Sequence, residues 1–440
     1  MGLLLLAALI IVSAYALAAV GRSASLPANI GPFLAMLLGL FVIGHLAVRR
    51  LAPWADGLVL PLAGLLNGLG YVFIARMNER LAAAQATWSA VGMAGFVVTL
   101  VLVRRARALE RYRYSFAALG ILLLLLPSMP FIGREINGAR IWISVGPMSF
   151  QPGEAAKLAL AAFLAGFLVE KRELLALSTK RVGPLYLPDP RHLGPLLVAW
   201  GVSLLVMINQ KDLGSSLLFF TLFVVLVWVA TGRAAYLLLG TMLFASGAFV
   251  AFHLFGHVQD RVQAWINPWP VAEDEGYQIV EAAFAMADGG LTGTGLGLGD
   301  SSRIPARETD FIFAVVAEEL GLVGATAVLL AYLLLLGGGL RIALQADHAF
   351  EKLLATGLTT LLGVQAFVII GGVIRVLPLT GVTLPFMSFG GSSLLANYVL
   401  LALLMRISDE SSRRAAQREG ATHQDGARPR VEAPTVAVVA

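Results

Sequence analysis

Long apolar runs, separated by short polar segments, recur along the whole of this 440-residue chain. A helix needs about 20 mainly apolar residues to cross the hydrocarbon core of a bilayer. The pattern predicts about twelve spanning helices, near residues 2–20, 30–48, 57–75, 87–104, 115–132, 151–169, 193–209, 212–230, 235–255, 311–336, 350–375 and 383–406. We therefore expect an all-α polytopic membrane protein.

Basic residues are concentrated in alternate connections between these runs. If the spans alternate, one side collects Arg49, Arg50, Arg104, Arg105, Arg107, Arg111, Arg113, Lys171, Arg172, Lys180, Arg181, Arg233, Arg341 and Lys352. Short loops rich in Lys and Arg stay in the cytoplasm, so we predict that this side, with both termini, is cytoplasmic. The chain has a net charge of +5, but its basic residues lie in short segments between apolar runs and not on one soluble face. Membrane topology explains them, and no nucleic-acid partner is expected.

The two ends of the chain differ in character. The first apolar run has no basic segment before it and is longer than the apolar part of a signal peptide, so we interpret it as a span. Residues 409–440 are charged, Ala-rich and Pro-containing, which predicts a disordered cytoplasmic tail.

Composition narrows the possible chemistry. Hydrophobic residues make up 58% of the chain and charged residues 13%, whereas soluble domains carry about 25% charged residues. Cysteine is absent, which excludes disulfides, thiolate metal sites and cysteine nucleophiles. The six histidines lack zinc-site spacing, and the sequence has no Walker or Ser-His-Asp pattern.

Residues 256–309 form the longest segment predicted outside the cytoplasm. Loops of this length are usually functional or disordered, and its aromatic residues favour helices that lie on or dip into the membrane. Its string Gly289–Gly299 has alternating glycines but follows no strand and contains no Gly-Lys-Ser/Thr. We interpret this string as flexible or closely packed backbone rather than a nucleotide loop.

Ionisable residues inside apolar runs are the first candidates for function. Glu154 and Lys157 are three residues apart on one predicted helix, which places both side chains on one face. They either wall a functional cavity or form a structural ion pair that joins two helices.

Carboxylates also collect where later spans begin. Asp310 opens one span, either as a catalytic group or as an N-cap. Glu318 and Glu319 lie two turns deeper, and because they are adjacent at least one must face the protein interior. Asp212 opens another span at the same side.

Polar groups that could bind anions lie on the same predicted side. Guanidinium groups suit phosphate or pyrophosphate, although lipid head groups would also satisfy them; they are Arg134, Arg140, Arg303, Arg307 and Arg375. The segment Phe389–Ser393 is rich in small residues, which permits close helix approach and exposes amides to an anion.

Several strings together resemble one family. They are Asn137-Gly138-Ala139-Arg140 with Trp142, Phe150-Gln151-Pro152-Gly153-Glu154 with Lys157, Asp212-Leu213-Gly214, Gly276-Tyr277-Gln278, Gly289–Gly299, Thr309-Asp310-Phe311 with Glu318-Glu319, and Leu384–Ser393. In this order they resemble the SEDS (shape, elongation, division and sporulation) proteins, typified by RodA and FtsW. The RodA-like elongation branch is favoured.

The resemblance implies a division of the chain. It assigns 51–408 to a ten-helix glycosyltransferase core containing the 256–309 loop, and leaves two additional helices in 1–50. The chain departs from the family at Gly153, Lys211 and Glu308, where Ser, Pro and His are usual.

The resemblance also implies an activity: polymerisation of lipid II into glycan strands at the outer face of the cytoplasmic membrane, releasing undecaprenyl pyrophosphate. A class B penicillin-binding protein would be the partner, and a divalent cation, Mg2+ or Mn2+, is a candidate cofactor. The family's essential aspartate corresponds to Asp310, and its membrane-embedded pair to Glu154 and Lys157. We assign substrate or pyrophosphate binding to Arg140, Trp142, Gln151, Asp212, Arg303, Ser388, Gly390 and Ser393.

Two rival functions stay open from sequence. A lipid II flippase should carry polar groups through the full membrane depth and, often, inverted repeats, and the cytoplasmic half of these spans is poor in acids. A noncatalytic scaffold for the penicillin-binding protein would need neither Asp310 nor Glu154.

Overall fold

The computed structural model describes residues 1–23, 30–136, 139–145, 148–177, 179–182, 185–188, 201 and 212–426. These residues contain the helices α1 (Gly2–Ser23), α2 (Ile30–Leu51), α3 (Val59–Met77), α4 (Glu79–Leu102), α5 (Arg113–Leu125), α6 (Pro152–Leu177), α7 (Leu213–Thr231), α8 (Ala235–Leu254), α9 (Gly256–Ile266), α10 (Tyr277–Gly289), α11 (Ile312–Gln345), α12 (Ala349–Val373) and α13 (Gly391–Gly426). Five short strands are β1 (Gly133–Ile136), β2 (Ala139–Val145), β3 (Met148–Phe150), β4 (Thr179–Val182) and β5 (Leu185–Pro188).

Ten of these helices are long and apolar enough to cross a membrane: α1 to α4, α6 to α8, and α11 to α13. The prediction of a mainly helical, multi-pass membrane protein is confirmed. The span predicted at 193–209 lies outside the described residues. The span predicted at 115–132 is shorter than expected, because α5 ends at Leu125 and Pro127 lies in the 3-10 turn that follows.

Helices α6, α12 and α13 form the centre of the bundle, whereas α8 is almost fully exposed along its length. The first two helices pack against α3 through a row of rings. Phe33 of α2 lies 4.3 Å from the Tyr15 ring of α1 and 4.9 Å from the Tyr71 ring of α3. Aromatic contacts at such centroid distances are favourable, so they help to fix the amino-terminal helices on the core.

Small antiparallel sheets connect some of the helices. Strands β1, β2 and β3 form one sheet between α5 and α6, with Arg134 opposite Trp142 and Ile143 opposite Phe150. Strands β4 and β5 form a hairpin after α6. The three-stranded sheet ends directly before Gln151 and therefore positions the start of α6.

The segment 256–309 contains helices α9 and α10 together with two 3-10 turns, Trp269–Val271 and Ser301–Arg303. The expectation that parts of this loop fold as helices is confirmed.

The carboxyl-terminal tail differs from the prediction. Helix α13 continues through Gly426, and its residues remain buried as far as Ser411. Arg406 donates to the carbonyls of Leu51, Leu100 and Val103 at 2.6–2.7 Å, which ties α13 to the ends of α2 and α4. The prediction of disorder from residue 409 is thus wrong for 409–426, because packing continues the helix; residues 427–440 lie outside the described residues.

Helix α11 is interrupted near its start. Gly321 has φ 64° and ψ −169°, outside the helical region. The glycine string Gly289–Gly299 forms hydrogen bonds with the backbone groups that the break leaves unpaired. The Leu322 and Val323 amides donate to the carbonyls of Gly290 and Leu291 at 3.0 and 3.2 Å. A membrane span tolerates such a break only where the protein satisfies the freed groups.

Glu318 and Glu319 fasten the same string from α11. Glu318 Oε1 accepts the Asp300 amide at 2.6 Å, and Glu319 Oε2 accepts the Gly297 amide at 2.8 Å. Glu319 is also paired with Arg76 of α3. Both carboxylates face the interior, as predicted for at least one, and they hold the string in place.

The string also supports α1. Gly297, at φ +82°, lies against the backbone of Ala18, and Gly21 approaches the Leu296 carbonyl. A side chain at Gly297 would collide with the Ala18 carbonyl, so glycine permits this close approach.

We predict that Gly321→Ala lowers the free energy of unfolding by at least about 1 kcal/mol, because a Cβ at φ +64° would also collide with the Gly293 amide and the Leu291 carbonyl. Gly337→Ala, in the same helix with open space around the position, is the matched control and should be neutral or stabilising. Thermal unfolding in one detergent measures both variants. Equal stability of the two would contradict this account of the interruption.

Candidate active site

Asp310 lies two residues before α11, in a tight turn. The amides of Thr309, Asp310 and Phe311 all donate to the Ala306 carbonyl at 3.0–3.2 Å. Phe311 occupies the N-cap position of α11, with no side-chain capping bond. Because the Asp310 carboxylate does not cap the helix, the capping alternative for this residue loses its support.

The connection between α12 and α13, residues 376–390, packs directly on this turn. Ser388 Oγ donates to the Thr309 carbonyl at 2.5 Å, and the Phe389 amide donates to the Glu308 carbonyl at 2.8 Å. A Cβ atom added to Gly381 would lie 3.7 Å from Asp310 Oδ2, so the backbone of Gly381 passes close to the carboxylate. The 376–390 segment therefore fixes the backbone on both sides of the carboxylate and lies against it at Gly381.

The environment of Asp310 favours a proton acceptor that works near neutral pH. Burial raises the pKa of Asp310 to about 6, and the Thr309 hydroxyl and the Arg261 guanidinium oppose that shift. Arg261 of α9 donates to the carbonyls of Leu379 and Thr380 at 3.4 and 3.3 Å. A carboxylate with a pKa near the working pH is well suited to general base catalysis.

Glu154 and Lys157 form a buried pair on α6, with Lys157 Nζ 2.8 Å from Glu154 Oε1. Lys157 also donates to Gln365 Oε1 of α12 at 3.1 Å. Gln365 Nε2 in turn donates to the Thr383 carbonyl at 2.9 Å and to Ser393 Oγ at 3.3 Å. The pair is thus one end of a network that reaches the 376–390 segment and α13.

Several predicted site residues join this framework. The backbone amide of Gln151 donates to Ser392 Oγ at 2.8 Å. Ser388 and Ser393 make the contacts already given. A Cβ atom added to Gly390 would lie 3.0 Å from Thr383 Cγ2, so Gly390 packs closely against Thr383. These residues hold α6, α13 and the 376–390 segment together.

Asp212 caps α7, accepting the Ser215 amide at 3.0 Å and the Ser215 hydroxyl at 2.6 Å. It also borders a small cleft at one end of the bundle, lined by Leu123, Leu124, Pro127, Ile141, Gln151, Gly153, Asp212 and Ser215. Asp212 therefore combines a structural role with access to open space.

The predicted arginines mostly lie at the surface. Arg140 is exposed and donates weakly to the Met129 carbonyl at 3.4 Å, and Trp142 lies beside it on β2. Arg303 is exposed near Asp300. Arg134 is exposed on β1.

The other two arginines have neighbouring partners. Arg307 lies 3.5 Å from Glu308. Arg375 donates to the carbonyls of Trp265 and Ile266 at 3.2 and 3.3 Å, and its own carbonyl accepts Trp265 Nε1. Arg375 therefore serves to hold α9 against the end of α12.

The donor set does not form a metal site by itself. In the described ranges, no three His, Asp or Glu side chains are grouped to hold a metal ion. Asp310 has Arg261 as its charged neighbour. A divalent cation therefore stays a prediction.

Sequence reasoning missed Arg261 and Gln365. Arg261 was in the long loop and lies one helical turn before Trp265, a spacing that indicates one helix face. Gln365 is a polar residue inside an apolar run, where polar side chains are expected to have partners. These two signals were present in the sequence.

A bundle of spanning helices with a partly buried carboxylate beside a braced loop defines a polytopic membrane enzyme. A family model for cell cycle proteins of the FtsW, RodA and SpoVE type matches residues 56–413. The chain belongs to this family, as the resemblance of its motifs indicated.

The relatives point in one direction. The peptidoglycan glycosyltransferase RodA of Mycobacterium tuberculosis is 44% identical over 422 residues, which cover 93% of this chain and 90% of the relative. A chain of a solved peptidoglycan synthase complex that coordinates polymerization and crosslinking has a TM-score of 0.64 and 28% identity, covering 80% of this chain and 97% of that chain. The rod shape determining protein RodA of Thermus thermophilus gives 0.57 and 28%, covering 80% and 96%.

We predict that Gln365→Leu lowers the free energy of unfolding by about 1–3 kcal/mol, because Lys157 loses an acceptor and the Thr383 carbonyl and Ser393 hydroxyl lose a donor. Gln85→Leu is the matched control, since Gln85 is equally buried but its amide has no hydrogen-bond partner among the described residues. Its stability should stay equal or rise. Similar losses in both variants, measured by thermal unfolding, would argue against the network.

Proposed function

We propose that this chain is a peptidoglycan glycosyltransferase that polymerises lipid II into glycan strands for cell elongation, with Asp310 as the general base. The similarity to mycobacterial RodA along almost the whole chain supports the activity. The observation that carries the role of Asp310 is its position: a partly buried carboxylate with a pKa of about 6, braced by the 376–390 segment.

The reaction joins two lipid-linked disaccharides. The acceptor's GlcNAc 4-hydroxyl attacks C1 of the donor MurNAc, and Asp310 accepts the hydroxyl proton. The new O4–C1 bond forms as the bond from C1 to the pyrophosphate oxygen breaks, and its electron pair leaves with undecaprenyl pyrophosphate. This is one inverting displacement, in which the base makes a weak nucleophile reactive.

The other predicted site residues would bind and orient substrate. Exposed guanidinium groups of Arg140 and Arg303 suit the pyrophosphate, where negative charge develops. Trp142, Gln151 and Asp212 would contact the sugar near the cleft. Ser388, Gly390 and Ser393 would support the substrate from the 376–390 segment and α13, with the Glu154–Lys157 pair as a wall.

The membrane topology follows the distribution of basic residues. By the positive-inside rule, this distribution supports a topology with both termini in the cytoplasm and Asp310 at the outer face of the cytoplasmic membrane. The related synthase complex couples polymerization with crosslinking, which supports a class B penicillin-binding protein as the transpeptidase partner.

The decisive experiment compares Asp310→Asn with wild type for polymerisation of purified lipid II in the presence of the partner. Asp310→Asn keeps the shape of the side chain but removes the base, so the rate should fall about 100- to 10,000-fold. Asp260→Asn, an exposed carboxylate on α9, is the matched control and should retain activity. Thermal unfolding confirms that both variants fold.

The same preparation tests the rival functions. A flippase would move lipid II across reconstituted vesicles without forming glycan strands. A scaffold would leave polymerisation unchanged in Asp310→Asn. Glycan strands of wild-type length and rate from Asp310→Asn would refute the assignment of the base.

The pH dependence gives an independent check. Only ionised Asp310 can accept the proton, so kcat/KM for lipid II should fall as the pH drops through about 6, the raised pKa of this carboxyl. An acid limb near pH 4, where an ordinary aspartate titrates, would contradict the raised pKa of Asp310.

A further inference from the structure

Arg261 lies on α9, a short helix that the fold fixes against the end of α12. One turn after Arg261, Trp265 donates from Nε1 to the Arg375 carbonyl at 3.0 Å, and Arg375 Nη2 donates back to the Trp265 carbonyl at 3.2 Å. This reciprocal contact anchors the helix and sets the position from which Arg261 extends.

The Arg261 guanidinium is bound to the backbone that faces Asp310. Its Nη1 lies 3.4 Å from the Leu379 carbonyl and 3.3 Å from the Thr380 carbonyl. The next residue is Gly381, whose Cβ position is 3.7 Å from Asp310 Oδ2. A shift of the guanidinium would therefore move the backbone that borders the carboxylate.

Helix α7 closes the other side of this arrangement. The Cβ position of Gly214 lies 3.1 Å from the Thr380 carbonyl, and Asp212 caps the same helix two residues earlier. Arg261 consequently has two charged neighbours among the described residues, Asp310 and Asp212, and both favour its charged form.

We propose that Arg261 is a positioning residue for glycan polymerisation, which holds the 376–390 segment against Asp310 and keeps that carboxylate ionised. The inference rests on the proposed function, because it assigns a role at the same base. A cation beside two carboxylates has its field largely compensated, so it is a weaker attractor for pyrophosphate than the exposed Arg140 is.

The charges at this point predict the direction of each change. Asp310 is stabilised as an anion by Arg261 and by the Thr309 hydroxyl. Removing Arg261 raises the pKa of Asp310, because the opposite charge that favours ionisation is lost. Removing the charge of Asp212 should lower it, because a second carboxylate near the same guanidinium disfavours the ionised form of Asp310.

The test is the pH profile of kcat/KM for lipid II, with the complete chain and its partner. In Arg261→Gln the acid limb should move up by at least about half a pH unit. In Arg261→Lys the limb should stay near wild type while kcat falls, because one ammonium cannot reproduce the fork of the guanidinium. Arg80→Gln, which removes an exposed arginine, should leave the profile unchanged.

A second variant keeps the proposal testable if Arg261→Gln does not fold. Asp212→Asn preserves capping, since Asn and Asp cap equally well, and should move the acid limb down. Acid limbs at the wild-type pH in folded Arg261→Gln and Asp212→Asn would overturn the proposal. A higher KM with an unmoved limb would instead mark Arg261 as a substrate-binding arginine.

Failure of the proposed function gives a different pattern. If wild type forms no glycan, or Asp310→Asn is fully active, the function or the base is wrong. If wild type polymerises and Asp310→Asn does not, an unmoved limb in Arg261→Gln refutes only the role of Arg261.

Discussion

The bilayer interior offers no water, so a polar group left without a partner inside the bundle is costly. Two parts of the structure follow from this constraint. The break at Gly321 is compatible with a spanning helix because the glycine string accepts and donates the released hydrogen bonds. Lys157 can be buried because Glu154 and Gln365 accept its hydrogen bonds. Hydrogen bonds of these polar groups therefore connect neighbouring parts of the bundle.

Asp310, the proposed base, lies where that constraint relaxes. Asp310 precedes the first turn of α11 and is only partly buried. Its surroundings come from distant parts of the chain, since the 376–390 segment braces its turn and α9 supplies the nearest cation. The 376–390 segment also connects Asp310 to the buried Glu154–Lys157 pair, because Gln365, which binds Lys157, donates to the Thr383 carbonyl of that segment.

The sequence predicted local features well. Apolar length located ten of the spans, and helical spacing placed Glu154 beside Lys157. Contacts between distant residues were not accessible: Arg261 reaches carbonyls 118 and 119 positions away, and no periodicity encodes such a distance. The helical tail was missed because its charged composition resembles that of disordered chains, whereas its contacts lie far away in sequence, such as the ion pair of Arg414 with Glu351 of α12.

Helix α1 packs on the glycine string, which is synthesised much later than α1 itself. The residues that α1 contacts there, 296–298, leave the ribosome about 270 residues after α1, which at 5–20 residues per second is roughly 15–50 s. Until then α1 has only part of its packing surface. Insertion and docking of this helix are therefore separate events, because α1 is synthesised well before the residues that complete its packing.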